Sequence, residues 1–246
     1  MFEFFKRNKG TDHLFFQTDV HSHMCPGIDD GARNTRHALG LIEQMHELGI
    51  RKMIITPHVT DETFPNTPEI ISKAFDKISN AVSSVGMDMQ LDYSAEYRID
   101  DLLFTYLKEG IVRPMPNDYI LVENSWIQEP FGLDSFLFNL QSEYGLKPIL
   151  AHPERYQYYQ PEKNRYKMLN ELGILFQVNL LSLSGYYGKP SKQVAEWLLD
   201  NNYVDFIGSD LHHSAHIEAI KRYINTKDYK KLTDKAKLIK NDIAFE

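Results

Sequence analysis

Seven short apolar runs, at residues 17–22, 52–56, 90–96, 119–123, 148–151, 174–179 and 205–208, alternate with helix-length stretches along nearly the whole chain. This alternation constrains the fold more than any other feature. Strand–helix units in series, with no Ser/Gly/Pro-rich linker and no internal repeat, predict one parallel α/β domain. Helical patterns occupy 35–48, 68–85, 99–108, 133–144, 163–172, 191–201 and 215–224, and a last one at 229–240 closes the chain. Gly49 and Gly173 each follow a Glu-Leu pair, where a left-handed glycine ends a helix. Pro68 suits a first helical turn, because its missing N–H would be unbonded there. The domain is read as 17–246, preceded by an N-terminal extension, 1–16, that reads as a short tether.

The ends of the runs separate a closed barrel from an open sheet. An open sheet concentrates its site at one switch point. A (β/α) barrel collects residues from the C-terminal ends of many strands. Here polar candidates stand at the ends of at least six of the seven runs, which favours the barrel.

The first run ends in His21-Ser22-His23. Imidazoles at i and i+2 on a strand share one face and make a two-nitrogen claw for a transition metal. Pro26-Gly-Ile-Asp-Asp30-Gly31-Ala-Arg33 follows, which is either turn chemistry or a carboxylate ligand, Asp30, with Arg33 near for an anion. The next runs end in Thr56-Pro-His58, Glu96-Tyr97, Glu123-Asn124, His152-Pro-Glu-Arg155 and Asp210-Leu-His212. A carboxylate closing a buried strand is costly unless something pairs with it, and a metal removes that cost. Five of the ten histidines fall in these segments. His37 and His46 read as helix-face residues, and His213 and His216 as surface. Five histidines with Asp30, Glu96, Glu123 and Asp210 exceed the needs of one tetrahedral zinc. They suggest two or three carboxylate-bridged ions, and nitrogen and oxygen donors without thiolate suit Mn, Fe or Zn.

Composition excludes several classes. The formal net charge is −7, and Lys and Arg are scattered, so nucleic acid is a poor partner. The single cysteine, Cys25, permits no internal disulfide and no cysteine-rich zinc site. The first ten residues lack the apolar stretch of a secretory signal, and no run approaches the roughly 20 apolar residues of a membrane span. These readings predict a soluble, cytoplasmic protein.

These motifs together resemble the PHP (polymerase and histidinol phosphatase) superfamily. The Pro-Gly-Ile-Asp-Asp-Gly and His-Pro-Glu-Arg strings narrow the resemblance to the bacterial manganese-dependent protein-tyrosine phosphatases of capsule and exopolysaccharide operons. It spans about residues 18–219 and implies a distorted (β/α)7 barrel. It implies that His21, His23, Glu96 and Asp210 hold one ion, Asp30, His58 and His212 a second, and Glu96, Glu123 and His152 a third. The implied cofactor is Mn2+. The implied substrate is a phosphotyrosine protein, the tail of a tyrosine kinase controlling polysaccharide export. The N-terminal residues and the last helix depart from the family pattern.

Phosphoester hydrolysis follows physically from the same set. Clustered metals lower the pKa of water and neutralise phosphate oxygens, and Arg155 adds a bidentate contact. A metal-activated hydroxide is expected to attack in line. Assistance at the leaving oxygen is left open between Asp30 and a histidine beside the metals. Arg33, Arg155 and Tyr97 are candidate substrate contacts. Trp126, Phe131, Tyr156, Tyr158, Tyr159, Tyr186 and Tyr187 also follow strand ends, where each flanks a phenyl ring or packs on the rim.

Three rival chemistries share parts of this pattern. A cysteine phosphatase needs Arg six positions after its Cys, where Cys25 has Gly31. A metal amidohydrolase bridges its ions through a modified Lys, whereas the strand ends here carry Glu96 and Glu123. A PHP phosphoesterase acting on a small phosphate such as histidinol phosphate shares the ligands and differs only in the pocket.

Overall fold

The computed structural model describes residues 13–236 and 238–245. Its strands are β1 (Thr18–Asp19), β2 (Lys52–Ile55), β3 (His58–Val59), β4 (Gln90–Tyr93), β5 (Glu96–Arg98), β6 (Tyr119–Glu123), β7 (Lys147–Ala151), β8 (Leu175–Asn179) and β9 (Phe206–Gly208). The helices are α1 (Thr35–Glu47), α2 (Pro68–Ser84), α3 (Asp101–Glu109), α4 (Leu133–Ser142), α5 (Lys163–Glu171), α6 (Leu180–Ser184), α7 (Lys189–Asp200), α8 (Ser214–Tyr223) and α9 (Lys227–Lys235). These strands pair with one another in parallel, in the orders β1-β2-β4 and β3-β5-β6-β7-β8-β9.

The two sheets are one wall with two breaks. The expected strand 52–56 divides at Thr56-Pro57, since Pro57 has no N–H for the ladder. The expected strand 90–96 divides at Ser94-Ala95. Backbone bonds span both breaks, from Ser94 N to Ile55 O (2.9 Å) and from Glu96 N to Pro57 O (3.0 Å). The wall then curls shut. Asp210 N donates to His21 O and His23 N to Leu211 O, each at 2.9 Å, beside a parallel bridge between Ser22 and Leu211. The seven expected runs thus close in chain order into a single barrel.

Alternation along each strand decides which side chains enter the barrel. Outward residues such as Met53, Ile55, Ile120, Val122, Leu150, Phe176, Val178 and Ile207 pack under the helices. Val20, Ile54, Leu121, Ile149, Ala151 and Phe206 fill the lower barrel, with Tyr119 and Leu175 against them. The chain's last described residues plug this end. Phe245 is buried against Tyr119 and Phe206. Asn241 stitches the seam between β1 and β9: its Nδ2 donates to Thr18 O (2.8 Å) and Ile207 O (2.7 Å), and its Oδ1 accepts from Ile207 N (3.0 Å).

Helix boundaries follow local chemistry. Thr67 caps α2 with Pro68 in its first turn, and Asp100 caps α3 by accepting from Leu102 N and Leu103 N, which starts that helix later than expected. Gly49 and Gly173 take φ of 96° and 82° as their helices end. The short α6 was not foreseen, and the last helix occupies 227–235 rather than 229–240. Residues 1–12 of the expected N-terminal extension lie outside the described residues. Residues 13–16 pack on the barrel: Leu14 N donates to Leu48 O, Phe15 N to the Tyr229 hydroxyl, and Phe16 is buried.

Candidate metal centre and active site

At the C-terminal ends of the strands the inward-facing residues turn ionisable. Two positions after Leu121 comes Glu123, and beside Leu121 in register stands Glu96. His21 Nε2, His23 Nε2, Glu96 Oε2 and Asp210 Oδ1 converge at one point. Nε2 of His21 lies 3.2 Å from His23 Nε2, 3.2 Å from Glu96 and 3.6 Å from Asp210; Nε2 of His23 lies 3.4 Å from each carboxylate. All four residues are buried. The other ring nitrogens are engaged, His21 Nδ1 with Gln177 Oε1 and His23 Nδ1 with Asp29 Oδ2, both at 2.8 Å. When both rings are neutral, four acceptors therefore face one another with no hydrogen to share. Ligands about 2.1 Å from a common ion stand roughly 3.0–3.5 Å apart, which is the spacing seen.

A second group brings together His23, Asp30, His58 and His212, with Asp30 Oδ1 at 3.6 Å from His58 Nε2 and 3.4 Å from His212 Nε2. A third joins His58, Glu96 and Glu123: His58 Nδ1 lies 3.0 Å from Glu96 Oε2 and 3.5 Å from Glu123 Oε1. His152 Nε2 reaches the other Glu96 oxygen at 2.8 Å. His58 thus faces two groups, one with each nitrogen, whereas the resemblance implied one. Glu96 Oε2, Glu123 Oε2, His58 Nδ1 and His152 Nδ1 are buried without a hydrogen-bond partner among the described residues. Orphans of this kind are rare without an ion or water. The donor set fits divalent cations.

Electrostatics hold the cluster near a balance. Burial disfavours every charge here, yet Glu96 and Asp210 outweigh it and raise His21, and the facing carboxylates of Asp210, Asp29 and Glu96 raise His23. His58 is pushed up to about 10, burial being outweighed chiefly by Glu96. Glu96 and Asp210 are depressed against their own burial, chiefly by His21. An ion entering here would therefore compete with protons, and its affinity would fall as pH falls. The His212 hydrogen bond brings Asp30 down to about 2, which makes it a carboxylate at neutral pH rather than a proton donor.

Two of these residues sit in strained backbone. His152 has φ 34° and Asp210 φ 50°, a left-handed conformation that non-glycine residues enter at a cost. Gly31 matters for the opposite reason: a Cβ there would lie 2.2 Å from His23 O.

A cavity of about 240 Å3 opens over the cluster, lined by Asp30, His58, Trp126, His152, Arg155, Tyr187, Asp210, His212 and His216. Arg155 lies between aromatic faces, its guanidinium carbon 4.0 Å from the Tyr187 ring centre and 4.7 Å from that of Trp126. Its Nη1 donates to Asp210 Oδ2 at 2.8 Å.

Not every expected residue arrives. Tyr97 faces away: Glu96 points inward, so its neighbour points to the helix layer, where the Tyr97 hydroxyl accepts from Arg113 N at 3.0 Å. Arg33 is exposed and does not line the cavity. Phe131 is fully exposed, while Tyr156 and Tyr159 are buried and bind Asn124. His216, read as surface, is buried and lines the cavity, with burial depressing it to about 4. Cys25 is buried in the apolar core and burial pushes its thiol up, which removes it as a nucleophile.

The sequence reading missed Asp29, Arg98, Gln177 and Asn179. Asp29 holds His23 and accepts from His58 N (3.2 Å). Arg98 donates to Glu123 Oε1 (3.2 Å). Gln177 and Asn179 close strand β8, the one run credited with no ligand; their i, i+2 spacing was the available signal.

Residues 17–242 match the family described as capsular polysaccharide synthesis, CpsB/CapC. The chain belongs to the CpsB/CapC family. Among relatives, the tyrosine-protein phosphatase YwqE of Bacillus subtilis is 27% identical over 196 residues, 79% of this chain and 77% of its own length. Tyrosine-protein phosphatase CpsB of Streptococcus agalactiae is 28% identical over 201 residues, 79% and 82% of the two chains. A crystal structure from work on YwqE and Streptococcus pneumoniae CpsB, described as unique metal-dependent tyrosine phosphatases, superposes with TM-score 0.76 at 24% identity, covering 93% and 96% of the two chains. The barrel is therefore the CpsB/CapC fold. Among the described residues no helix is long and apolar enough to cross a membrane.

Proposed function

We propose that this CpsB/CapC chain is a metal-dependent protein-tyrosine phosphatase, a phosphoric monoester hydrolase. The observation that carries the reading is the convergence of four buried acceptors, the Nε2 atoms of His21 and His23 with carboxylate oxygens of Glu96 and Asp210, beneath a cavity lined by Arg155. Family membership and relatives bearing the phosphatase name support it.

His21, His23, Glu96 and Asp210 would hold one ion; Asp30, His58 and His212 a second; Glu96, Glu123 and His152 a third, with His58 Nδ1 at hand for it. Two to three ions per chain, Mn2+ foremost with Fe or Zn as substitutes, suit nitrogen and oxygen donors without thiolate. Bound ions supply Lewis acidity, giving a nucleophile near neutral pH and neutralising charge on the phosphate.

The protein's own groups do the rest. Arg155 is held by Asp210 and two aromatic faces, so its remaining N–H groups can grip phosphate oxygens without reorganising. Trp126 stacks on His152 with an interplanar angle of 18° and, with Tyr187, offers a wall for the phenyl ring. A tyrosine leaving group has a pKa of about 10, so its demand for a general acid is modest. The substrate is a phosphotyrosine segment of another protein, and the kinase of a polysaccharide-export system fits the family's role.

The test is a panel of phosphotyrosine peptide, histidinol phosphate and single-stranded DNA, each assayed with Mn2+, Fe2+, Zn2+ or chelator. Phosphotyrosine hydrolysis that needs the ion is expected. Full activity in chelator overturns the metal reading. Preference for histidinol phosphate overturns the substrate and leaves the ion site standing.

A further inference from the structure

Gln177 and Asn179 lie behind the first ion site and form a hydrogen-bonded chain whose direction is fixed from one end. The fixed end is Asp210, whose Oδ2 receives Arg155 Nη1 at 2.8 Å and, as an ion-paired carboxylate, only accepts. The Asn179 atom 2.7 Å from that oxygen is therefore its amide nitrogen. Asn179 Oδ1 then faces Gln177 at 2.8 Å, so Gln177 presents its own amide nitrogen there. The Gln177 oxygen is left for His21 Nδ1, also at 2.8 Å, and an amide oxygen only accepts. The neutral ring of His21 thus carries its hydrogen on Nδ1, which leaves Nε2 as the nitrogen with the lone pair, facing Glu96, Asp210 and His23. Reversing either amide would set acceptor against acceptor inside 3 Å.

We propose that Gln177 and Asn179 are positioning residues that fix the tautomer of His21 and the orientation of Asp210 together, so that both offer lone pairs to one ion. The inference rests on reading the cluster as an ion site. The packing around the chain is exact enough to enforce it. All four side chains are buried, and Asn179 N is held by Glu154 Oε1 at 3.0 Å. A Cβ on Gly208 would lie 2.6 Å from Gln177 Nε2 and 2.8 Å from His21 Cβ, so glycine is what lets the amide reach the ring. Hydrogen bonds to the outer nitrogen of a ligating histidine set its tautomer and basicity, and losing one lowers metal affinity about 10- to 100-fold.

Two variants of the full chain separate this role from packing. Gln177→Met keeps side-chain length and removes the acceptor; Gln177→Glu keeps an oxygen against His21. Calorimetric titration with Mn2+ is expected to show a 10- to 100-fold weaker first site in Gln177→Met, by the same estimate, and a site of intermediate strength in Gln177→Glu. In the Zn2+-loaded, 15N-histidine-labelled wild type, His21 is expected to carry hydrogen on Nδ1 and the ion on Nε2. Wild-type affinity in Gln177→Met, equal losses in the two variants, or hydrogen on His21 Nε2 overturns the inference. The wild-type spectrum decides even where a variant folds poorly. Failure of the wild type to bind either ion overturns the ion-site reading, and this inference falls with it.

Discussion

The two ends of the barrel are built from the same strands and obey opposite rules. At the lower end Val20, Ile54, Leu121, Ile149 and Phe206 pack on one another and on Phe245, with Asn241 satisfying the backbone at the seam. At the upper end, one pleat further along the same strands, Glu96, Glu123, His21, His23 and Asp210 crowd their acceptors together, with Asp210 in strained backbone. Burial of apolar surface favours the lower end, at roughly 25 cal/mol per Å2. The upper end crowds buried acceptors together at a cost that a cation would remove, and the packed end beneath it is what keeps it assembled. Stability and function are separated by about one strand pleat.

Substitutions can break that separation. The largest effect is expected from Glu96→Gln, which removes the carboxylate shared between groups: kcat/KM for a phosphotyrosine peptide should fall about 1,000-fold, with an unchanged melting temperature. A collapse of the fold would show the upper end to be structural. Leu121→Ala, on the neighbouring strand but in the lower stack, should cost about 3 kcal/mol in urea unfolding while the folded fraction keeps its kcat. Asn241→Ala leaves Thr18 O and the Ile207 N–H and C=O unpaired, and a loss of about 2 kcal/mol is expected with Mn2+ affinity untouched; weakened Mn2+ binding would tie the ends together. The smallest effect belongs to Cys25→Ser, which should retain most activity in the same assay, because the thiol lies in the apolar core.

Much of the site was legible because strand ends are one-dimensional features. A buried run that stops on His, Asp or Glu marks the residue and its face at once, and His21, His23, His58, Glu96, Glu123, His152, Asp210 and His212 all reach the cluster. Tyr97 went astray although period-two alternation, applied to Glu96, already turns it outward. Asp30 was named through the resemblance and Asp29 was not, since both sit in one turn; only the folded loop puts Asp29 on His23 and Asp30 on His58 and His212. His216 looked like a surface residue because two of the rings packed against it, Tyr186 and Tyr187, lie about thirty positions away in sequence.

The sequence by itself determined the order of the main strands and helices, the parallel sense of the sheet and the chemical identity of the candidate ligands, because periodicity and turn residues act over a few positions. Only the tertiary structure decided the rest. Closure of β9 on β1 through His21, His23, Asp210 and Leu211 joins residues almost two hundred positions apart, and the amide chain from Asp210 to His21 exists only after that closure. A hydrogen bond's direction depends on which acceptor lies at its far end, and that partner is chosen by the fold.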